Sequence, residues 1–411
     1  MIDQTTWKRK TTLFLTSQTF SLFGSSLVQY ALMWYVTLET KSGFMMTLYI
    51  VCGFLPTFFL SPFAGVWADR YDRKKLIMFS DAIIALATLS LAFVFMAGYN
   101  ALWLILLTAA IRSLGTAVQG PAVGAILPQF VPTDKLTRVN GISGSIQAAI
   151  MLVSPILSGA LISFLPMQTI FMIDVVTAAI AITVLLFLKI SPHQKASEAQ
   201  TTTYFTDMKL GFQYIRKQRY LVSYFWFIGI LLFLAAPAAF LTPLQVVRTF
   251  GSDVWRLTAI EVVFSVGMML GGALISAWGG FKNRMHTIIV STLIMSIFTI
   301  GLGLAPIFWL YLVFMGMFGI AMPLFNTPST VIIQERVEES YLGRVFSVLT
   351  MLFTSAMPMG MLLFGPLAEV VKIEWILIVT GSLMIVQSLR MLLDKQLMSA
   401  GVRVDKKEIA G

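Results

Sequence analysis

Three charged side chains, those of Arg112, Asp174 and Glu261, interrupt long apolar stretches of the sequence, and the two carboxyl groups are candidates for moving protons. Even on insertion-based scales, an Arg at the centre of a membrane helix costs roughly 2.5–3.5 kcal/mol, so Arg112 must face protein or water. Asp174 and Glu261 each stand a few residues inside such a stretch, where desolvation favours the protonated carboxyl group. Alternate exposure to two aqueous sides could then load and release a proton, which is the chemistry of a proton antiporter.

Each of these residues also has a structural interpretation. Arg112 could form a buried pair with a carboxylate, either Asp81 or Asp174. Asp174 could instead make a hydrogen bond that packs two helices, and Glu261 could reach toward the membrane interface near Arg256. Asp81 stands close to the inner end of its apolar stretch, and we expect it to be structural.

A dense run of charge separates two of the apolar stretches, because six charged residues fall within residues 65–75. Lys and Arg gather on the inner side of a membrane, so this run is typical of a cytoplasmic hairpin. We expect Gly65 to allow close helix approach and Asp69 to accept hydrogen bonds at a positive helix N-terminus. The alternative is that the charges only fix topology, but Asp contributes little to that bias, which favours a further role for Asp69.

The elements that position these residues must be membrane helices. Of the 411 residues, 57% are hydrophobic and only 12% are charged, whereas a soluble domain carries about a quarter charged residues. Apolar stretches of roughly 20 residues recur, and each could cross a hydrocarbon layer about 30 Å thick. The net charge of +10 is therefore attributed to cytoplasmic loops and not to nucleic-acid binding. Cys52 is the only cysteine, which excludes an intramolecular disulfide and a cysteine metal cluster.

Twelve membrane spans are predicted, which makes the chain an all-α membrane protein. The spans are residues 11–37, 44–68, 76–97, 100–121, 139–164, 168–189, 220–247, 256–280, 286–305, 307–332, 345–368 and 375–393. With the N-terminus inside, 24 of the 29 Lys and Arg residues fall in cytoplasmic segments. This imbalance supports an even number of helices and predicts a bacterial-type cytoplasmic membrane protein with both termini in the cytoplasm.

The sequence divides into two halves that resemble each other. We expect an N-terminal six-helix bundle over 1–189 and a C-terminal six-helix bundle over 220–394. A cytoplasmic linker at 190–219, with a surface helix from Tyr204 to Arg219, joins them, and a cytoplasmic tail follows at 395–411. The segment from Val66 to Arg73 can be aligned with Ala277 to Arg284, and Leu136 to Val139 with Leu342 to Val345. Two matches in corresponding loops favour a duplication over chance and predict parallel repeats.

The loop between the second and third spans carries a family resemblance. Gly65-x-x-x-Asp69-Arg70-x-x-Arg73-Lys74 matches the loop motif of the major facilitator superfamily. The resemblance covers nearly the whole chain. The segments Phe54-Leu55-Pro56, Ile111-Arg112-Ser113-Leu114-Gly115-Thr116-Ala117 and Tyr341-Leu342-Gly343-Arg344-Val345-Phe346-Ser347 look most like macrolide-efflux permeases. The resemblance implies twelve helices in two pseudo-symmetric bundles. It also implies that Gly65, Asp69, Arg70, Arg73 and Lys74 form a conformational latch, in which the Asp engages the start of the eleventh helix near Gly343 to Ser347.

Two further motifs resemble those of this superfamily. Arg112-x-x-Gly115, followed by Gln119-Gly120, is similar to the fourth-helix motif of proton-coupled members. Ser154-Pro155-x-x-x-Gly159 resembles the proline–glycine motif of antiporters, although the flanking glycines are incomplete. Pro155 removes a backbone donor and Gly159 allows close approach, so the pair is interpreted as a hinge, with ordinary helix packing as the alternative.

Substrate contacts are expected on the first and seventh helices, which line the central cavity in this superfamily. Aromatic rings stack on varied apolar molecules. The candidates are Gln29, Tyr30, Trp34, Trp226 and Phe233. Packing against other helices or facing lipid is the alternative for each of them.

The sequence therefore predicts a secondary transporter that exports amphipathic drugs such as macrolides by proton antiport and rocker-type alternating access, a route to antibiotic resistance. Its partners would be a small amphipathic substrate, protons and membrane lipid, and one chain would suffice. No cofactor or metal is expected beyond an ion gradient, H⁺ or else Na⁺. An enzyme is not expected, because His193 and His286 stand alone and no P-loop occurs. The alternatives are a siderophore exporter, a lysolipid transporter, and a non-transporting sensor or scaffold.

Overall fold

The computed structural model describes residues 7–188 and 204–402. These residues form fifteen α-helices, one 3₁₀ turn at Leu127–Gln129 and no β-strand. The helices are α1 Trp7–Thr40, α2 Gly43–Arg70, α3 Arg73–Met96, α4 Leu102–Ile126, α5 Thr133–Phe164, α6 Met167–Phe187, α7 Tyr204–Lys217, α8 Arg219–Phe240, α9 Thr242–Thr249, α10 Val254–Trp278, α11 Arg284–Leu304, α12 Phe308–Arg336, α13 Glu339–Val370, α14 Ile373–Leu393 and α15 Lys395–Ala400. The all-α class is confirmed.

Eleven stretches of the described residues are long and apolar enough to cross a membrane, counting Arg219–Thr249 as one stretch. They correspond to the predicted spans from the second to the twelfth. The first predicted span lies in α1, which is long enough at 34 residues but carries many Ser, Thr and Gln residues that lower its hydropathy. Those polar residues include Ser21 and Ser25, whose hydroxyls donate hydrogen bonds to the buried carboxylates described below.

The seventh predicted span, 220–247, is not one continuous helix. The helix is interrupted at Leu241, between α8 and α9, and Pro243 follows in the first turn of α9. Proline has no backbone N–H to donate to the preceding turn, so it favours the start of a helix over its interior. Within the predicted linker, α7 occupies Tyr204–Lys217, while residues 190–203 and the end of the tail lie outside the described residues.

Two compact units divide the chain. Unit 1 contains Met1–Thr40 and Leu48–Ala199, and unit 2 contains Lys41–Thr47 and Gln200–Gly411. In unit 1, α1 packs against α5 and α6, while α3 packs against α4 and α6. The hydrophobic side chains of Phe14 and Phe130 meet at 5.7 Å between ring centroids in the core near the α2–α3 connection.

Close backbone contact holds part of unit 2 together. A Cβ atom built on Gly319 would lie 2.5 Å from the carbonyl oxygen of Phe264 and 3.3 Å from Cα of Gly267, so α10 and α12 approach each other through small residues. Gly267 and Gly271 would meet α12 carbonyls in the same way. Such glycine-lined contacts replace the hydrophobic effect, which does not drive association of helices within lipid.

The start of α2 belongs to unit 2, although the rest of the helix belongs to unit 1. Within residues 41–47, the Ser42 hydroxyl donates to the Glu369 carboxylate at 2.6 Å, and a backbone N–H in the first turn of α2 donates to the same oxygen at 3.0 Å. Arg248 donates through Nη2 to the carbonyl of Lys41 at 2.6 Å. Lys41 has a φ of +46°, the one positive φ among described non-glycine residues. These contacts fix a tight entry into α2.

Candidate functional site

A buried ion pair lies at the centre of unit 1, between Arg112 of α4 and Asp174 of α6. The Arg112 side chain also donates through Nη1 to the Thr88 hydroxyl and through Nη2 to the carbonyl of Ser25 at 3.0 Å. Asp174 accepts hydrogen bonds from the hydroxyls of Thr88 at 2.9 Å and Ser25 at 3.2 Å. Of the two candidate partners of Arg112, the structure therefore selects Asp174 over Asp81. Four helices, α1, α3, α4 and α6, supply this cluster.

Two glycines allow those helices to approach closely. A Cβ atom on Gly24 would overlap the Thr177 hydroxyl and lie 3.2 Å from Cα of Asp174, so α1 and α6 require glycine there. A Cβ atom on Gly115 would lie 2.6 Å from the Ile84 side chain, so the same holds for α4 against α3. Gly115 belongs to the predicted fourth-helix motif, and its role in this structure is to bring α3 and α4 together.

We expect Gly24→Ala to destabilise the protein by about 1–3 kcal/mol, the usual cost of overpacking. The added methyl group would push α1 away from α6 and lengthen the Ser25–Asp174 hydrogen bond. The thermal unfolding midpoint of the purified protein measures this effect. Gly120→Ala is the matched control, because a Cβ atom there would meet no atom within 4 Å and helix propensity alone would favour Ala by up to about 1 kcal/mol. Equal unfolding midpoints for the two variants would contradict the expected close contact.

A second polar cluster surrounds Asp81 on α3, which is only 2% exposed. Its Oδ1 atom accepts hydrogen bonds from the Ser21 hydroxyl at 2.6 Å and from Nε2 of Gln119 at 2.6 Å. Its Oδ2 atom is buried and has no hydrogen-bond partner in the described structure. Sequence reasoning singled out Gln119 but missed Ser21, as it missed Ser25 and Thr88 in the first cluster. The sequence signal for the two serines was their four-residue spacing, which places Ser21 and Ser25 on one face of α1.

Glu261 occupies the second turn of α10 in unit 2 and is half-buried. No hydrogen-bond or ion-pair partner of its carboxylate lies among the described residues. Arg256 does not pair with it: the guanidinium binds Asp253 at 3.3 Å and lies over the rings of Trp255 at 5.4 Å and Phe308 at 5.8 Å. The alternative interpretation of Glu261, a side chain held near Arg256 at the interface, therefore has no contact to support it.

The basic residues of the loop motif tie together the helix ends of unit 1. Arg73 is buried and donates to the carbonyls of Ala68 at 2.8 Å and Ala125 at 2.6 Å. Lys74 donates to the carbonyl of Leu188 at 3.0 Å. These bonds link the start of α3 to α2, α4 and the end of α6. Both side chains therefore stabilise the packing of helix ends within unit 1.

The remaining residues of the predicted latch differ from expectation at one point. Gly65 does not lie in the turn; it is within α2, and a Cβ atom there would meet no atom within 4 Å. The expected close helix approach at Gly65 is therefore wrong for this structure. The turn itself is two residues, and Asp72 caps α3 by accepting from the backbone N–H of Lys75 at 3.2 Å. Arg70 is exposed at the end of α2, and the Asp69 side chain lies outside the described part of the structure.

The predicted hinge residues lie in one uninterrupted helix, α5. Pro155 and Gly159 are both buried. Between them, the Ser158 hydroxyl donates to the carbonyl of Leu27 on α1 at 3.1 Å. This part of α5 therefore packs against α1, and the role of Pro155 and Gly159 as a hinge stays a prediction.

The three candidate substrate contacts on α1 have different surroundings. Trp34 is 0% exposed and its ring centroid lies 5.7 Å from that of Tyr30. Trp34 is therefore enclosed by packing in this structure, and its role as a substrate contact stays a prediction. The Gln29 side chain is exposed, while its carbonyl accepts from the Tyr49 hydroxyl at 3.2 Å.

The two candidates on α8 belong to unit 2. Trp226 is 69% exposed and lines a cavity of about 620 Å³ between α8, α14 and α15, together with Gln387 and Arg390. Phe233 instead packs against Phe364 of α13, with 5.4 Å between ring centroids. The structure thus places these two rings in different surroundings. Among the described residues, no group of three or more His, Cys, Asp or Glu side chains could hold a metal ion.

A family model described as Major Facilitator Superfamily matches residues 14–361. Together with the membrane-spanning helical bundles, this match defines the class of the protein, a multi-pass membrane transporter. The chain belongs to the major facilitator superfamily.

Individual relatives narrow the comparison. Macrolide efflux protein A of Streptococcus pyogenes is 30% identical over 92% of this chain and 94% of that protein. Weaker similarity extends to the staphyloferrin A transporter of Staphylococcus aureus, 24% identical over 87% of this chain and 90% of that protein. It also extends to the lysophospholipid transporter LplT of Yersinia pestis, 22% identical over 83% of this chain and 82% of that protein. Among solved structures, a D-xylose–proton symporter superimposes with a TM-score of 0.71 at 13% identity, covering 96% of this chain and 99% of that one, which supports the fold alone.

Proposed function

We propose that the protein exports amphipathic compounds of the macrolide type by proton antiport and rocker-type alternating access. The assignment of the cargo rests on the 30% identity to macrolide efflux protein A over 92% of the chain. The buried charges of the two units support the coupling. An ion gradient then supplies the energy, and the protein lies in a bacterial-type cytoplasmic membrane with both termini in the cytoplasm.

Two carboxyl groups have complementary roles in this mechanism. Asp174, when ionised, holds Arg112, and a proton on Asp174 would weaken that pair and release Arg112 to other partners. Glu261 lacks a cationic partner among the described residues, so protonation is its means of neutralisation within a membrane helix. Proton exchange at these two positions would bias which aqueous side each unit faces, while Pro155 and Gly159 allow α5 to bend.

Transport by reconstituted protein tests this proposal. Vesicles containing the purified chain would be given a pH gradient or a sodium gradient separately, with a radiolabelled macrolide or a cationic dye as the probe. We expect inward proton flow to drive movement of the macrolide in the opposite direction, and we expect no response to sodium. Flux driven by sodium alone would overturn proton coupling, and absence of any gradient-driven macrolide or dye flux would overturn export.

The alternative cargoes have specific support in the weaker relatives, the staphyloferrin A transporter and the lysophospholipid transporter. Competition in the same vesicles separates these cargoes. A siderophore or a lysolipid that blocks labelled-macrolide flux at lower concentration than unlabelled macrolide would transfer the assignment to that cargo. Binding of these compounds without any flux would instead support a sensor or scaffold.

We expect Asp69→Asn to lower the turnover of macrolide transport while leaving the amount of folded protein unchanged. The carboxylate is proposed to hold the start of α13 in one conformation, and the amide would lack the charge that interacts with a helix N-terminus. Initial flux rates, normalised to protein in the vesicles, measure the effect. Asp72→Asn is the control, because Asp72 caps α3 and Asn is an equally good cap. Unchanged flux in Asp69→Asn would remove Asp69 from the latch.

A further inference from the structure

Two polar layers cross the interior of unit 1, and they use the same three helices, α1, α3 and α4. The first contains Arg112 with Asp174, and the second contains Asp81 with Gln119. Because Gln119 follows Arg112 by seven residues on α4, the layers are separated by about 10 Å along the helix axis. Each layer contains one carboxylate that is almost completely buried.

Charge is balanced in the first layer and not in the second. The Arg112 guanidinium neutralises Asp174, and the Thr88 and Ser25 hydroxyls complete the hydrogen bonds of that carboxylate. Asp81 has only neutral donors, the Ser21 hydroxyl and the Gln119 amide, and both of these bind Oδ1. Its Oδ2 atom has no partner in the described structure. A carboxylate that is buried without a cation is so costly that such groups neutralise instead.

The surrounding helices supply no other charge that could neutralise Asp81. Arg112 is the one charged residue of α4, and Asp174 is the one charged residue of α6. On α1, Lys8, Arg9 and Lys10 stand at the first turn and Glu39 at the last, while its tyrosines, Tyr30 and Tyr35, lie more than two turns beyond Ser21. On α3 itself, the basic residues Arg73, Lys74 and Lys75 belong to the first turn.

The donor groups favour a proton over a metal cation at this position. Nε2 of Gln119 lies 2.6 Å from Asp81 Oδ1 and 3.1 Å from the Ser21 hydroxyl oxygen. An amide N–H₂ group is a hydrogen-bond donor and cannot ligate a cation, so it occupies the place where a sodium ion would need an oxygen. The buried Gln18 side chain, 5% exposed and one turn before Ser21 on α1, also has both polar atoms without partners in the described structure.

We propose that Asp81 is a proton-binding site of this protein, separate from the Arg112–Asp174 pair. The proton adds to the unpartnered Oδ2 atom and returns to water when the carboxyl group ionises, with the Ser21 and Gln119 donors stabilising the ionised form through Oδ1. In this structure the Arg112 guanidinium binds the Asp174 carboxylate, so Asp81 adds a second proton-exchanging carboxyl group to unit 1 beside the proposed exchange at Asp174. This inference rests on the proposed proton coupling for its biological use, but the site itself can be tested without transport.

Infrared spectroscopy of the purified full chain in lipid vesicles provides that test. A protonated, buried carboxylic acid gives a C=O band that disappears when the group ionises. The measurement uses Glu261→Gln protein as the background, so that Asp81 and Asp174 are the buried acids left in the described membrane helices. We expect a carboxylic band that is lost on raising the pH, absent in Asp81→Asn and retained in Asp174→Asn. Proton release during a pH jump should fall by about one per chain in Asp81→Asn.

A second variant keeps the test decisive if Asp81→Asn does not fold. Gln119→Leu removes a donor to Oδ1 and leaves the carboxyl group in place, so the ionised form loses a charge-assisted hydrogen bond. The band should then persist to higher pH by about one unit. Persistence of the band in Asp81→Asn, or its disappearance in Asp174→Asn alone, would overturn the proposal. An unmoved band in Gln119→Leu would do the same.

The two proposals fail in different ways. The Asp81 band in the Glu261→Gln background, together with no proton-driven flux by protein that retains Glu261, would leave the proton site standing and remove the proposed transport function. Proton-driven flux by protein that retains Glu261, together with an infrared titration that Asp81→Asn leaves unchanged, would leave the function standing and remove this site. A band that responds to sodium at fixed pH would replace the proton by a metal ion and overturn the inference.

Discussion

Arg112→Gln is expected to destabilise the protein by about 3–5 kcal/mol, because it leaves the Asp174 carboxylate buried without its cation. The hydrogen bonds from Thr88 and Ser25 would remain, but they carry no charge to compensate Asp174. The thermal unfolding midpoint of purified protein should fall clearly, and proton-driven flux should be lost in the same variant.

The double variant Arg112→Gln with Asp174→Asn separates stability from transport. Removing both charges together abolishes the uncompensated anion, so we expect most of the lost stability to return while transport stays absent. Recovery of flux in the double variant would show that the pair only packs helices. A single Arg112→Gln variant as stable as the unsubstituted protein would contradict the buried ion pair itself.

Glu261→Gln is expected to abolish macrolide movement driven by a pH gradient while preserving exchange of labelled for unlabelled macrolide. The amide has nearly the shape of the carboxyl group but cannot take up a proton. Its half-buried position without a partner means that little packing is lost. The measurement compares gradient-driven flux with exchange at equal pH on both sides of the vesicle membrane.

Glu335→Gln is the matched control for that experiment. Glu335 is an acid of unit 2 that pairs with Arg284 at 2.5 Å, so a cation already neutralises its charge, unlike that of Glu261. We expect its pH-driven flux to equal that of the unsubstituted protein. Retained pH-driven flux in Glu261→Gln, or an equal loss in both variants, would remove Glu261 from coupling.

The helices could be predicted from the sequence because each carries its own apolar length. A stretch of roughly 20 apolar residues specifies a membrane helix without knowledge of its neighbours. The break at Leu241 was missed because Pro237 and Pro243 stand close together in an otherwise apolar run. Proline is tolerated within many membrane helices, so its presence alone does not say where a helix ends.

The partners of the buried charges were harder to predict. Arg112 could be recognised as a residue in need of a partner, but Asp81 and Asp174 were both available in the sequence. The choice depends on how α4 packs against α3 and α6, and that packing is set by small residues such as Gly24 and Gly115. Sequence periodicity within one helix carries no information about such contacts.

The hydroxyl donors illustrate the same limit. Ser25 and Thr88 complete the hydrogen bonds of Asp174, yet Ser and Thr are common in membrane helices, where most bond to their own backbone. The Thr88 hydroxyl, for example, lies 2.9 Å from the carbonyl oxygen of Ile84, which competes with Asp174 for its one hydrogen. Residue type therefore could not distinguish a donor to a charge from a donor to its own helix.

The placement of residues 41–47 in unit 2 has a consequence for dissecting the protein. A gene cut at the linker would encode two fragments, and the second would lack the α2 turn whose Ser42 and backbone N–H bind Glu369. Arg248 in that fragment would lose its acceptor at Lys41. We therefore expect complementation only when both fragments are synthesised together, since the C-terminal fragment obtains its missing turn from the other polypeptide.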